Sequence, residues 1–252
     1  VLPRSANTAT LLPENTQTDS TAEGAEVVAE NAEIILREPL RRPRRPLRLI
    51  SLSHHATSTR LVTISSEHFR VTYPADVDRR DADQVLNTLE SSRSDFSRRA
   101  SSASISTGIP TLDIRLNEST GDFTSRTGQP WWAAAATKGN RIELQPVALL
   151  KRRGVLTTTL RHELAHVFID AISHDRAPRW MEEGFSIYLA GEGRLFSHYT
   201  RGTLSNDELE RRLEHPRTQS DMRELYAQAY LSVSELVRQQ GEASVWKKLA
   251  AS

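Results

Sequence analysis

The stretch from Val155 to Ile172 constrains this chain more than any other. Read as a helix with His162 at 0°, it puts His166 near 40°, Asp170 near 80° and Glu163 at about 100°. Leu156, Leu160 and Val167 then sit at about 120–160°, Leu164 and Phe168 at about 200–240°, and Ala165 and Ile169 at about 300–340°. Arg161 and Thr158 are the polar exceptions in the middle turns. A helix that is apolar on almost every side is a buried helix. Two imidazoles and two carboxylates in one wedge of it need partners, because burying them unpaired costs several kcal/mol. A metal ion would supply them.

The spacing fits that chemistry. His162-Glu163-Leu164-Ala165-His166 is an HExxH pattern, and residues four apart on a helix differ by only about 40° and about 6 Å, so both imidazoles reach one ion. Glu163 falls beside the ion rather than on it, where it can act as general base on the attacking water. A catalytic zinc wants a third protein ligand. The three-histidine arrangement places its last histidine six residues after the second, across a glycine, but here Ile172 holds that position. His174 is therefore not the third ligand. Asp170 lies about 12 Å along the helix axis from His162, too far to share its ion, and is expected instead to orient His166 by accepting its ring N–H. Arg179 to Ala190, opened by Pro178, reads as the next helix. It offers Glu182 and Glu183, and helical periodicity leaves both open.

The rest of the chain supplies a setting. Residues 1–46 read as a disordered tail and linker, short of aromatics. They end in the arginine- and proline-rich run Arg37 to Arg48, which reads as a solvated linker because no aromatics interleave with the charge. Strands are expected at Leu47 to Leu52, Arg60 to Ile64, His68 to Tyr73, Thr111 to Leu116 and Arg141 to Gln145, from their alternation. A helix is expected from Asp76 to Arg99, with Val77, Val85, Leu86, Leu89 and Phe96 inward. Gly121 to Trp132 reads as a turn-rich loop. After Gly191 and Gly193 end the Arg179 helix, further helices are expected at Ser205 to Leu213, Asp221 to Gln239 and Ala243 to Ala250. The expected fold class is α+β: a strand-rich lobe with one packed helix over 47–150, then a helical lobe over 151–252 carrying the site. Together, 47–252 would form one catalytic domain.

Composition narrows the function classes. A net charge of +1 with 26% charged residues gives no global pull toward nucleic acid or membrane. The absence of cysteine excludes disulfides, thiolate ligands and cysteine nucleophiles. No apolar run approaches the ~18–20 residues of a transmembrane helix. The start at Val1 is what removal of a leader would leave, so a secreted or periplasmic location is expected, with the cytoplasm as the other option.

His162-Glu163-Leu164-Ala165-His166, followed by Trp180-Met181-Glu182-Glu183-Gly184-Phe185 and then Tyr188-Leu189, resembles the gluzincin metallopeptidases. In their aminopeptidase-N-like branch the glutamate before the glycine binds zinc, which implies Glu183 as third ligand. With sixteen residues between His166 and Glu183, and with Tyr226 to Tyr230 downstream, the chain looks more like the compact bacterial peptidase MA-like domains. The resemblance extends from about His68 to the C-terminus and is specific only at the two zinc segments. It implies a zincin-like fold, one Zn²⁺ and a peptide or protein substrate. It also implies an oxyanion-stabilising tyrosine at Tyr226, with Tyr230 one turn on as the alternative. By position, Arg141, Ile142, Glu143 and Leu144 would form an edge strand that pairs with the substrate. The glycine-rich motif that recognises a free amino terminus is missing, and Trp131 to Ala136 stands in its place. The implied activity is therefore that of an endopeptidase before an aminopeptidase. A non-catalytic, zinc-stabilised binding module of the same fold is the alternative.

Overall fold

Alternating apolar residues place the first layer. In the computed structural model, which describes residues 60–196, 199, 202–215 and 217–252, five strands form one mixed sheet. The tail, the arginine-rich run and the strand expected at Leu47 to Leu52 lie outside the described residues. Strand β1 (Leu61–Ser65) pairs antiparallel with β2 (Phe69–Pro74), and helix α1 (Arg79–Ser102) crosses over to β3 (Leu112–Leu116), parallel to β2. Helix α2 (Thr120–Thr127) follows, then the hairpin of β4 (Ala135–Lys138) and β5 (Arg141–Leu144). The sheet order is β1-β2-β3-β5-β4, with β5 parallel to β3. Phe69, Val71, Tyr73, Leu112, Ile114, Leu116, Ile142 and Leu144 point to one face and are buried. The opposite face carries Arg70, Asp113, Arg115, Arg141 and Glu143, as expected of a sheet covered on one side.

Two expectations fail here for local reasons. The glycine-containing stretch after Thr120 is partly helical, because Ser119 accepts the Asp122 N–H at its start and Gly128 ends it at φ 73°. Phe123 from this helix is fully buried. The second failure is that β5 is not an edge. The two-residue turn Gly139-Asn140 folds Ala135–Lys138 back beside it, so β5 is paired on both sides and β4 is the edge.

The remaining chain is helical: α3 (Val147–Arg152), α4 (Leu156–Ser173), α5 (Arg179–Ala190), α6 (Gly193–Phe196), α7 (Asn206–Glu214), α8 (Gln219–Gln240) and α9 (Glu242–Ala250). Gly193, expected to help end α5, instead begins the single turn α6. Helix α4 is buried without a break from His162 to Ile169, as its apolar circumference requires. It packs on α1, where Phe96 meets Phe168 edge-to-face at 5.5 Å, and on α5. Its half-buried arginine is satisfied: Arg161 donates to the Leu189 carbonyl at 2.7 Å and to Asp95 at 3.1 Å, with its guanidinium over the Phe96 ring.

Helix α5 is fixed at both ends and on its far side. Pro178 offers no side-chain cap, and the Glu210 carboxylate from α7 accepts the Arg179 and Trp180 N–H groups at 2.9 and 3.0 Å instead. Gly191 stops the helix in the left-handed region at φ 78°. On the side facing α8, a Cβ at Gly184 would stand 2.2 Å from the Ala229 carbonyl oxygen and 2.8 Å from Val233. Only glycine permits that crossing. Gly184→Ala should therefore lower stability by about 1–3 kcal/mol, the usual cost of forcing extra volume into a packed contact. Gly121→Ala, where the new atom would meet only ordinary contact, is the control. Urea denaturation of both variants checks this.

Candidate metal centre

Helices α4 and α5 bring three ligating atoms to one point. His162 Nε2 and His166 Nε2 lie 3.0 Å apart, and Glu183 Oε2 lies 3.7 Å from the first and 3.4 Å from the second. Around a tetrahedral zinc with bonds of about 2.0–2.1 Å, ligand atoms stand about 3.3–3.4 Å apart. The three observed separations bracket that value. His162, His166 and Glu183 are the group found among the described residues that could hold a metal ion, and all three are buried.

The other ring nitrogens show why the cluster needs a cation. His162 Nδ1 lies 2.8 Å from Glu192 Oε2, and His166 Nδ1 lies 2.8 Å from Glu182 Oε1. A carboxylate only accepts, so each Nδ1 carries the hydrogen and each neutral ring is left with its lone pair on Nε2. Two lone pairs and a carboxylate oxygen then face one another in a dry site. The Glu183 carboxylate is approached by both histidines and by Tyr226, and its Oε2 makes no well-formed direct hydrogen bond. The donor set of two imidazoles and one carboxylate is one that zinc accepts, so the residues fit the ion.

Electrostatics shows the same demand in the metal-free chain. Burial pulls the His162 imidazole down, but the Glu192 and Glu183 carboxylates outweigh it and hold its pKa up at about 10. His166 is raised against the same burial by Glu183 and Glu182. Burial would lift Glu183, yet the His166 charge, with Arg179 behind it, holds its carboxyl well below the usual range.

Each sequence-predicted residue can now be located. Glu163 is fully buried on α4 and accepts a hydrogen bond from the Thr137 hydroxyl of β4. Tyr226 of α8 is 1% exposed and neighbours Glu183; burial first, and Glu183 second, keep its hydroxyl protonated far above ordinary pH. Tyr230 packs against Gly193 instead, where a Cβ would strike its ring. Glu182 and Glu183 both serve the cluster, gripping opposite nitrogens of His166 from adjacent positions on α5. The part expected of Asp170 is taken by Glu182, whose Oε1 meets His166 Nδ1; Asp170 is half-buried near the end of α4. His174 is exposed at the C-cap of α4. Arg141, Ile142, Glu143 and Leu144 do not form the free strand: Ile142 and Leu144 fill the core, while Arg141 and Glu143 lie on the polar face. Glu192 and Thr137 were not foreseen. A glutamate between two glycines just past a helix was the available signal for Glu192, whereas nothing in the sequence marks Thr137.

Comparison with family models, curated proteins and solved structures finds no match to this chain. The likeness to a gluzincin-type site therefore rests on the His162-Glu163…His166 cluster with Glu183 alone.

Proton competition gives a two-sided pH test. The raised His162 pKa stabilises the metal-free fold fully below pH 6.5, and that contribution is lost as pH rises through about 10. The lowered Glu183 pKa contributes above 4.5 and is lost as pH falls below it. Chelated protein should therefore lose stability in denaturation from about pH 6.5 toward pH 9, while its apparent zinc affinity rises over the same interval as protons leave the ligands.

Proposed function

We propose that this protein is a zinc-dependent metallopeptidase of the gluzincin type. The observation that carries the reading is the buried convergence of His162 Nε2, His166 Nε2 and Glu183 Oε2, with Glu163 also buried and on the same helix as the two histidines. Zinc held by these atoms would lower the pKa of a water toward neutrality and polarise a substrate carbonyl. Glu163 is the base that would accept a proton from the attacking water and would return it to the amide nitrogen as the C–N bond breaks. The Thr137 hydroxyl steadies the carboxylate for both transfers. Tyr226, protonated throughout, donates to the oxygen on which negative charge develops.

The edge strand supports a peptide as substrate. Gln145 N–H donates to the Ala134 carbonyl, which sets the phase of the hairpin. The antiparallel alternation then turns the N–H and C=O groups of Ala136 and Lys138 toward β5 and those of Ala135 and Thr137 outward. Ala135 is buried and Thr137 is half-buried, so an extended chain adding to β4 would meet the outward backbone groups of Thr137, next to Glu163. Edge pairing grips a chain through its backbone without needing a terminus, which favours endopeptidase action. A zinc-stabilised binding module is the second reading, favoured by exposures of 0–1% at His162, Glu163, His166 and Glu183.

Glu163→Gln separates the two. It should keep stoichiometric zinc and lose hydrolysis of a peptide library by at least about 100-fold, the scale of general-base contributions. Full activity in that variant would sink the mechanism, and a wild-type protein that holds zinc but cleaves nothing would favour the binding module. Tyr226→Phe should retain zinc and lower kcat by about 100- to 1,000-fold, as for loss of one oxyanion donor.

A further inference from the structure

Glu192 stands where a glutamate has no local reason to be. Helix α5 ends with the Gly191 N–H on the Tyr188 carbonyl at 3.2 Å and the Glu192 N–H on the Ile187 carbonyl at 3.1 Å. This is the paired closure that follows a left-handed residue, here Gly191 at φ 78°. The residue one past that glycine usually makes an apolar contact back onto the helix. In this chain it is a carboxylate, 6% exposed. Burying it would cost several kcal/mol without a partner, and the partner it reaches is His162 Nδ1 at 2.8 Å.

Its position is fixed from both sides. Gly191 sets the reversal that turns the chain inward. Gly193 lets Tyr230 of α8 close down on the next residue, since a Cβ there would lie 2.1 Å from the tyrosine ring. The Leu195 N–H then donates to the Glu192 carbonyl at 2.8 Å. His162 sits on α4, so its orientation depends on a carboxylate delivered by a different segment. His166, by contrast, is oriented by Glu182, the immediate neighbour of the ligand Glu183.

We propose that Gly191-Glu192-Gly193 is a clip that orients the His162 imidazole for metal binding, with Glu192 as a positioning residue of the metal centre. The proposal rests on the zinc centre proposed above but not on the peptidase reaction. The clip keeps hydrogen on Nδ1, leaves the Nε2 lone pair directed at the ion, and makes the ring a stronger donor. Tyr230 acquires a role through it, as the packing surface that holds the clip closed.

Competition with a chromophoric chelator, on purified full-length protein and its variants, tests this. Glu192→Ala should weaken zinc binding by about 10- to 100-fold, the usual effect of removing such a partner, while far-UV circular dichroism stays that of the folded chain. Glu192→Gln keeps an acceptor for Nδ1–H and should lose less. Cobalt substituted for zinc should show a changed visible spectrum in Glu192→Ala, which a merely structural loss would not produce. Gly193→Ala, which touches no ligand, should weaken zinc binding in the same direction as Glu192→Ala. Wild-type zinc affinity in both Glu192 variants would overturn the clip while leaving the metal centre standing. A wild-type chain that binds no zinc would overturn the centre itself.

Discussion

Everything at this site depends on the two imidazole Nδ1 hydrogens being taken by carboxylates. Once Glu192 and Glu182 hold them, the Nε2 lone pairs have no direction left but toward each other and toward Glu183. Such a convergence is unfavourable in a buried site unless positive charge occupies it. The metal-free chain meets that demand with protons, which is why His162 is held up to about 10 against its burial. A divalent cation meets it better, because one ion satisfies all three atoms at the separations they already have.

Holding two helices to that tolerance shapes the surrounding fold. Helix α4 is clamped by apolar contact on nearly all sides, and the half-buried guanidinium of Arg161 ties it to α1 and to the end of α5 through Asp95 and Leu189. Helix α5 is capped from a distance by Glu210 and pressed against α8 at Gly184. That crossing also brings Tyr226 to Glu183. The sheet contributes through its edge: β4 borders α4 and delivers the Thr137 hydroxyl to Glu163. The architecture is accordingly a mixed sheet covered on one face, a buried site helix, and a helical lobe that carries Glu183.

The readings that held from the sequence were those set by periodicity. The apolar circumference of Val155 to Ile172 implied a buried helix, and the four-residue spacing implied convergent histidines. Both follow from local geometry, and both are present. Alternation likewise located β1, β2, β3 and β5. Sheet order was not legible in the same way, because whether β5 is an edge depends on which segment folds beside it. Ala135–Lys138 is short and alanine-rich, with no alternation to announce a strand. The orienting carboxylates illustrate the same limit. Asp170 lay one turn from His166 in sequence, but the packing of a second helix brings Glu182 to His166 Nδ1 and the reversal at Gly191 brings Glu192 to His162 Nδ1.

The central claim is that His162, His166 and Glu183 form one metal site. Anomalous diffraction at the zinc absorption edge, from crystals of the protein grown with zinc, tests it most directly. The account predicts a single strong peak about 2.0–2.2 Å from His162 Nε2, His166 Nε2 and a Glu183 carboxylate oxygen, with Glu182 and Glu192 still on the Nδ1 atoms. A peak coordinated by Glu182 or Asp170 in place of Glu183, or none at the histidines, would contradict it.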